Sequence, residues 1–125
     1  MKWTLEHLEE EKIIIMTVTG KYDSKDTIDA NRILLEAGKK HNCIKFLVDS
    51  SLLVLSINRS IIFELPSKVF TEFNLDPSSR MAMVRPKDSE TNDMMEFFIL
   101  ATGKFGWESS ILPNRKKAID WLCVI

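Results

Sequence analysis

From Trp3 to Leu8 the side chains alternate, with Trp3, Leu5 and His7 on one side and Thr4, Glu6 and Leu8 on the other. This two-residue period predicts a half-buried strand. The run Glu9-Glu10-Glu11 breaks the period, and adjacent like charges seek water, so a solvated hairpin turn is expected there. Ile13, Ile14 and Ile15 then open a second strand, and three consecutive β-branched residues suit one buried on both faces. Two strands joined by a short charged turn form an antiparallel pair. Gly20 is expected to end the second of them.

The period then changes. Ala30, Ile33, Leu34 and Ala37 mark one face of a helix from about Thr27 to Lys40, with Ser24 or Asp26 as its cap and Lys39, Lys40 and His41 at its carboxyl end, where the helix dipole favours positive charge. His41 is read as a helix-end residue and not as a base. The stretch Ile44 to Ser51 reads as a buried strand that runs into a polar end, placing Asp49, Ser50 and Ser51 where open α/β sheets meet their ligands. Leu52 to Ile57 is apolar at five of six positions where a loop is expected, either a short extra strand or a loop folded onto a groove.

Asn58-Arg59-Ser60 opens the next helix, Ile61 to about Phe73, with Asn58 as cap and a break or kink at Pro66. Arg80 to Arg85 forms a short apolar strand. A helix from about Asp93 to Thr102, capped by Asn92 or Thr91, is apolar nearly all round, which predicts deep burial or half-cover by another chain. Glu108 to Leu112 reads as an edge strand. Asn114 caps a last helix through Val124, with Ala118, Trp121, Leu122 and Ile125 on one face and Arg115, Lys116 and Lys117 in the first turn, read as a solvated face or as an anion or partner contact. The order β-β-α-β-α-β-α-β-α predicts a single α/β domain: a mixed, mostly parallel sheet with an amino-terminal antiparallel hairpin, flanked by about four helices.

Composition narrows the function classes. Seventeen basic residues against eighteen acidic ones leave no basic excess for a nucleic-acid binder. No apolar run approaches the roughly 20 residues that cross a bilayer, and the amino terminus lacks the pattern of a signal peptide, so no transmembrane segment and a cytoplasmic location are expected. Cys43 and Cys123 form no C-x-x-C, and with His7 and His41 they write no zinc spacing. Both cysteines are read as reduced, partly buried packing residues. No metal and no cofactor are expected. The nucleophile elbow, the phosphate-binding loop and the dinucleotide fingerprint are all missing from the sequence. Asp23, Asp26 and Asp49 are the carboxylates that one sheet edge would bring together for acid/base work.

The hairpin, the strand ending in Asp49, the stretch Arg80-Met81-Ala82-Met83-Val84, and the Ala-x-x-Trp-Leu pattern of Lys117-Ala118-Ile119-Asp120-Trp121-Leu122 together resemble the STAS-like group, in particular its SpoIIAA-like branch. The namesake of that branch is an anti-sigma-factor antagonist. Asp49-Ser50-Ser51-Leu52 resembles the branch's Asp-Ser-Ser-Gly-Leu phospho-switch run, with Leu52 in place of glycine. The resemblance implies a non-catalytic regulatory module with a protein partner or a second copy as its ligand. It makes Ser51 the candidate phosphosite, with Ser50 and Ser60 as the other serines of the region. The partner-binding residues expected are Asp49, Ser50, Ser51, Leu53, Ile57, Asn58, Arg59 and Ser60. Leu53→Asp and Ile57→Asp are expected to abolish association and spare the fold. Some branch relatives are likened to lipid-carrier domains. The alternative is therefore a domain binding a small apolar ligand or lipid through Leu52 to Ile57, Ile61, Ile62 and Phe63 beside the helix 94–102.

Overall fold

The computed structural model describes residues 2–124. Two antiparallel strands, β1 (Trp3–Leu8) and β2 (Ile13–Tyr22), are joined through the exposed glutamates, with Lys12 in a left-handed turn conformation (φ 60). β3 (Lys45–Leu55), β4 (Arg80–Val84) and β5 (Glu108–Leu112) then add in parallel, giving a five-stranded sheet in the order β1-β2-β3-β4-β5. The parallel strands advance across the sheet in one direction. Right-handed crossovers must then all fall on one face. That face carries α1 (Ser24–His41), α2 (Arg59–Glu64) with the π-helical turn Leu65–Phe70 that continues it, and α3 (Ser89–Lys104). α4 (Arg115–Cys123) follows the last strand, is not bound by that rule, and packs alone on the other face over Ile13, Ile15, Leu47, Ala82 and Val84.

Several boundaries differ from the sequence expectation. β2 runs past Gly20, which holds φ +86 and so carries the strand through a backbone shape that a side chain would resist. α1 starts at Ser24 under a capping box. The Asp26 N–H donates to Asp23 Oδ1 at 2.9 Å and the Asp23 N–H donates to Asp26 Oδ2 at 3.1 Å, so the cap is Asp23 and neither Ser24 nor Asp26. α3 starts at Ser89 because Asp88 accepts from the Thr91 N–H, ahead of the expected Thr91 or Asn92 cap. Asn58 holds the cap position of α2, but its side chain makes no capping bond. Pro66 does not split the segment: the wider π-helical turn takes in a residue that has no N–H to give. Asn114 caps α4 by accepting from the Lys117 N–H, as expected. Cys43 is buried, but Cys123 is exposed at the end of α4 and is not a packing residue. Ile125, expected on the α4 face, lies outside the described residues.

The largest departure is in β3. Asp49 pairs with Thr17 and Leu52 with Thr19, so three steps along β3 match two along β2. The extra residue is a β-bulge, and a bulge reverses which residues face the core. Phe46, Val48 and Ser50 face the three helices before it, and Leu53 and Leu55 face them after it. The stretch 52–55 is therefore regular strand, not a loop. Leu53 is 5% exposed and Leu52 is 56% exposed.

Candidate functional site

Asp49, Ser50 and Ser51 do not form one site. They lie in mid-strand at the bulge, and the reversal of side parts them. Ser50 is fully buried on the three-helix face, where its hydroxyl donates to the Val84 carbonyl at 2.6 Å. Asp49 and Ser51 turn to the α4 face. There the Ser51 hydroxyl donates to Asp49 Oδ1 at 2.9 Å, and Arg115 Nη2 donates to Asp49 Oδ2 and to Thr17 Oγ1, each at 3.0 Å. Arg115 therefore faces the sheet, part-exposed, with the Asp49 carboxylate of its own chain as its anion. It offsets the unfavourable dipole position by tethering the first turn of α4 to β2 and β3. Asp23 and Asp26 are bound up in the α1 cap, and Asp49 in the α4 tether, so the three carboxylates form no acid/base group.

Burial alone would raise the Asp49 carboxyl, but the hydrogen bonds from Ser51 and Arg115 outweigh it and hold the group below its ordinary value. A depressed carboxyl contributes stability above its unfolded value, near pH 4, and loses it as pH falls through the folded value. Asp49→Asn removes that contribution. In urea melts across pH 2 to 7, the gap between wild type and Asp49→Asn is expected to be widest above pH 5 and to close toward pH 2. A gap constant across the range would show that the carboxylate charge does not hold α4.

The rim beyond the carboxyl ends of the parallel strands is built from the other predicted residues. β2 and β3 extend past β4, and the end of β3 is tied to α3 by the Leu55 N–H, which donates to Thr91 Oγ1 at 2.9 Å. A groove of about 390 Å³ opens there, lined by Ser24, Leu55, Ser56, Ile57, Asn58, Glu90 and Met94. Beside it runs an aromatic ridge across α2 and α3. Phe63 meets Phe97 edge to face at 5.0 Å, and the Arg59 guanidinium lies over the Phe97 ring at 5.5 Å. Phe63 is 38% exposed and Leu100 is 67% exposed. α3 is thus not deeply buried all round. Ser60 is exposed in the first turn of α2.

Of the expected partner-binding set, Ile57, Asn58, Arg59 and Ser60 share this rim. Leu53 is core and cannot be a contact residue, so Leu53→Asp would not spare the fold. Phe63, and Met94, Phe97 and Leu100 within the helix 94–102, entered the sequence reading only through the apolar-ligand alternative. Ser24 and Glu90 belong to the rim and carried no binding signal in the sequence.

His7, His41 and Cys43, distant in sequence, also meet. His7 Nε2 is 3.5 Å from the Cys43 sulfur, and the two imidazole rings lie 4.1 Å apart. Burial raises the Cys43 thiol, opposed in part by Lys12 and Lys45, so Cys43 stays a packed thiol. Among the described residues no three His, Cys, Asp or Glu side chains are placed to hold a metal ion. None of the described helices is long and apolar enough to cross a membrane.

No protein-family model and no curated protein matches the sequence. Solved structures do match. One is the anti-sigma factor antagonist SpoIIAA in its unphosphorylated form, with a TM-score of 0.61 and 15% identity, covering 98% of this chain and 99% of that one. Another is the Bacillus cell fate determinant SpoIIAA in its phosphorylated form, with a TM-score of 0.56 and 12% identity, covering 96% of this chain and 98% of that one. At such identity the likeness is one of fold, and it bears out the SpoIIAA-like architecture expected from the sequence.

Proposed function

We propose that the protein is a non-catalytic regulatory module that binds a protein partner through the rim groove and the aromatic ridge of α2 and α3. The observation that carries this reading is the ridge: Arg59, Phe63, Phe97 and Leu100 present apolar and aromatic surface to solvent beside a polar groove. Aromatic residues and arginine are the types most often found as energetic anchors of interfaces, and a polar rim is their usual surround. The likeness to an anti-sigma factor antagonist agrees with a binding role.

The apolar-ligand reading has less support. A pocket for a drug-sized or lipid-like molecule occupies roughly 300–1,000 Å³. The apolar cavity between the sheet and the three helices, lined by Met16, Leu53, Leu55, Ile62 and Met95 among others, measures about 70 Å³.

Ser51 would carry a phosphate directly against the Asp49 carboxylate that it now bonds, where like charges repel. Ser60 would carry it in solvent, at the favourable end of a helix and on the proposed interface. Any regulatory phosphate is therefore assigned to Ser60.

The test is affinity capture from extract of the source cells, with sedimentation of the pure protein to detect self-association. Wild type is expected to recover a defined partner, or to dimerise. Phe63→Asp/Leu100→Asp is expected to weaken that association at least tenfold with the melting temperature retained, since an anchor side chain contributes about 2 kcal/mol or more. Ser60→Glu should weaken it in the same direction. Association unchanged in the double variant would remove the ridge from the interface.

A further inference from the structure

β1 forms one edge of the sheet and pairs only with β2. In an antiparallel pair, residues that exchange backbone hydrogen bonds with the neighbouring strand alternate with residues whose N–H and C=O point away from it. The Thr19 N–H donates to the Lys2 carbonyl at 3.2 Å, and Trp3 lies opposite Val18, so Lys2 is of the first kind. The alternation then turns the N–H and C=O groups of Trp3, Leu5 and His7 outward along the edge. Among the described residues no backbone group of another segment bonds them.

Natural edge strands are commonly guarded by a proline, a lysine or a bulge. β1 has no proline, no lysine and an unbroken register from Trp3 to Leu8. Glu6 turns to the α4 face, where Arg115 lies 3.8 Å away. Trp3, Leu5 and His7 share the three-helix face, and Leu5 is 44% exposed there. The opposite edge, β5, is shorter and is stopped by Pro113.

The sequence of β1 fits a second copy of itself. With Leu5 opposite Leu5 of the second copy, antiparallel pairing sets Trp3 against His7 and Thr4 against Glu6. Each outward residue then meets another outward residue, so the backbone groups are in phase. Apolar and aromatic side chains oppose each other across the seam, and such pairs stabilise sheets. Centring the pair on Glu6 would set two carboxylates directly opposite, which is destabilising. Centring it on Thr4 would leave His7 beyond the end of the strand. The antiparallel sense also brings the turn Glu9-Glu10-Glu11 of each copy to the Lys2 end of the other, whereas a parallel pair would crowd the two acidic turns together. We propose that β1 is a homodimerisation edge, at which two copies pair antiparallel about Leu5 and join their sheets into one. The edge is separate from the rim and the ridge, and the inference goes beyond the interaction reading.

The test is sedimentation equilibrium of the full chain under reducing conditions. A single six-residue strand is a small interface, so the wild type is expected to dimerise with a Kd on the order of 100 µM. Leu5→Lys sets like charges opposite each other and should weaken the dimer at least tenfold, with the melting temperature retained because the site is exposed. Leu52→Lys, at an exposed leucine away from the edge, should leave the dimer unchanged. Disulfides formed in air read the register, in a Cys123→Ser background because Cys123 is exposed and Cys43 is buried. Leu5→Cys is expected to cross-link to itself. Glu6→Cys is expected to cross-link with Thr4→Cys and not with itself, since two Glu6 positions would lie beyond the roughly 7 Å that a disulfide spans between Cα atoms. A monomer at every concentration, a dimer unmoved by Leu5→Lys, or Glu6→Cys cross-linking to itself would each overturn the proposal. A dimer unmoved by Leu5→Lys but lost in Phe63→Asp/Leu100→Asp would assign self-association to the ridge instead.

Discussion

Leu53→Asp is expected to leave no cooperatively folded protein at 25 °C, whereas Leu52→Asp, one residue earlier, is expected to unfold within a few degrees of wild type. The two leucines are adjacent, and composition does not tell them apart. The bulge at the middle of β3 turns Leu53 into the three-helix core, where it is 5% exposed, and leaves Leu52 outside at 56%. Emptying a buried leucine site costs about 2–5 kcal/mol. A carboxylate placed there meets an apolar wall of Met16, Ile62, Leu65 and Met95 with no cation to pair it, and must stay desolvated or protonated. The sum reaches or exceeds the 5–15 kcal/mol that stabilises an ordinary domain. Circular dichroism and thermal melts of the two variants give the result. A folded Leu53→Asp variant beside an unfolded Leu52→Asp variant would mean that the register after the bulge is shifted by one residue.

Gly38→Ala is expected to destabilise the protein by about 1–3 kcal/mol, against its local helix preference. Alanine in a helix interior is favoured over glycine by about 1 kcal/mol. Here a Cβ would lie 2.6 and 2.7 Å from the tip of the Phe46 ring and 3.1 Å from the Cys43 carbonyl. Phe46 is 1% exposed between α1 and the sheet, and the Cys43 carbonyl that also meets the added Cβ is backbone, so overpacking outweighs propensity. Phe46→Leu should relieve the clash. In a double-mutant cycle from urea melts, the pair is expected to be less destabilised than the sum of the singles by about 1 kcal/mol or more. Simple additivity would mean that the helix already stands clear of the ring.

The bulge bears on the candidate site as well as on stability. The bulge hands Ser50 to the core and Asp49 with Ser51 to α4. The residues that most resemble a phospho-switch run thereby become structural fasteners, and Ile57 to Ser60 are left as the rim.

The order of elements could be read from the chain because each rests on contacts close in sequence. A two-residue period placed β1, β-branched residues placed β2, and the spacing of Ala30, Ile33, Leu34 and Ala37 placed α1. Asn114 was legible as a cap because its partner is the Lys117 N–H, three residues on. The topology rule placed Asp49, Ser50 and Ser51 at the carboxyl end of β3, but the strand runs on to Leu55 and leaves them in its middle.

What only the tertiary structure decided are matters of pairing between distant segments. The bulge exists because β3 must match β2 residue by residue, and nothing within 49–52 announces the extra step. Arg115 looked misplaced in a helix's first turn until Asp49, 66 residues away, was found opposite it. The meeting of His7 with Cys43 and the ridge of Phe63 on Phe97 are likewise contacts across the chain. Local periodicity determines which face of an element is apolar. Only packing determines which other surface it meets, and the rim and ridge proposed as the binding surface are set by that second choice.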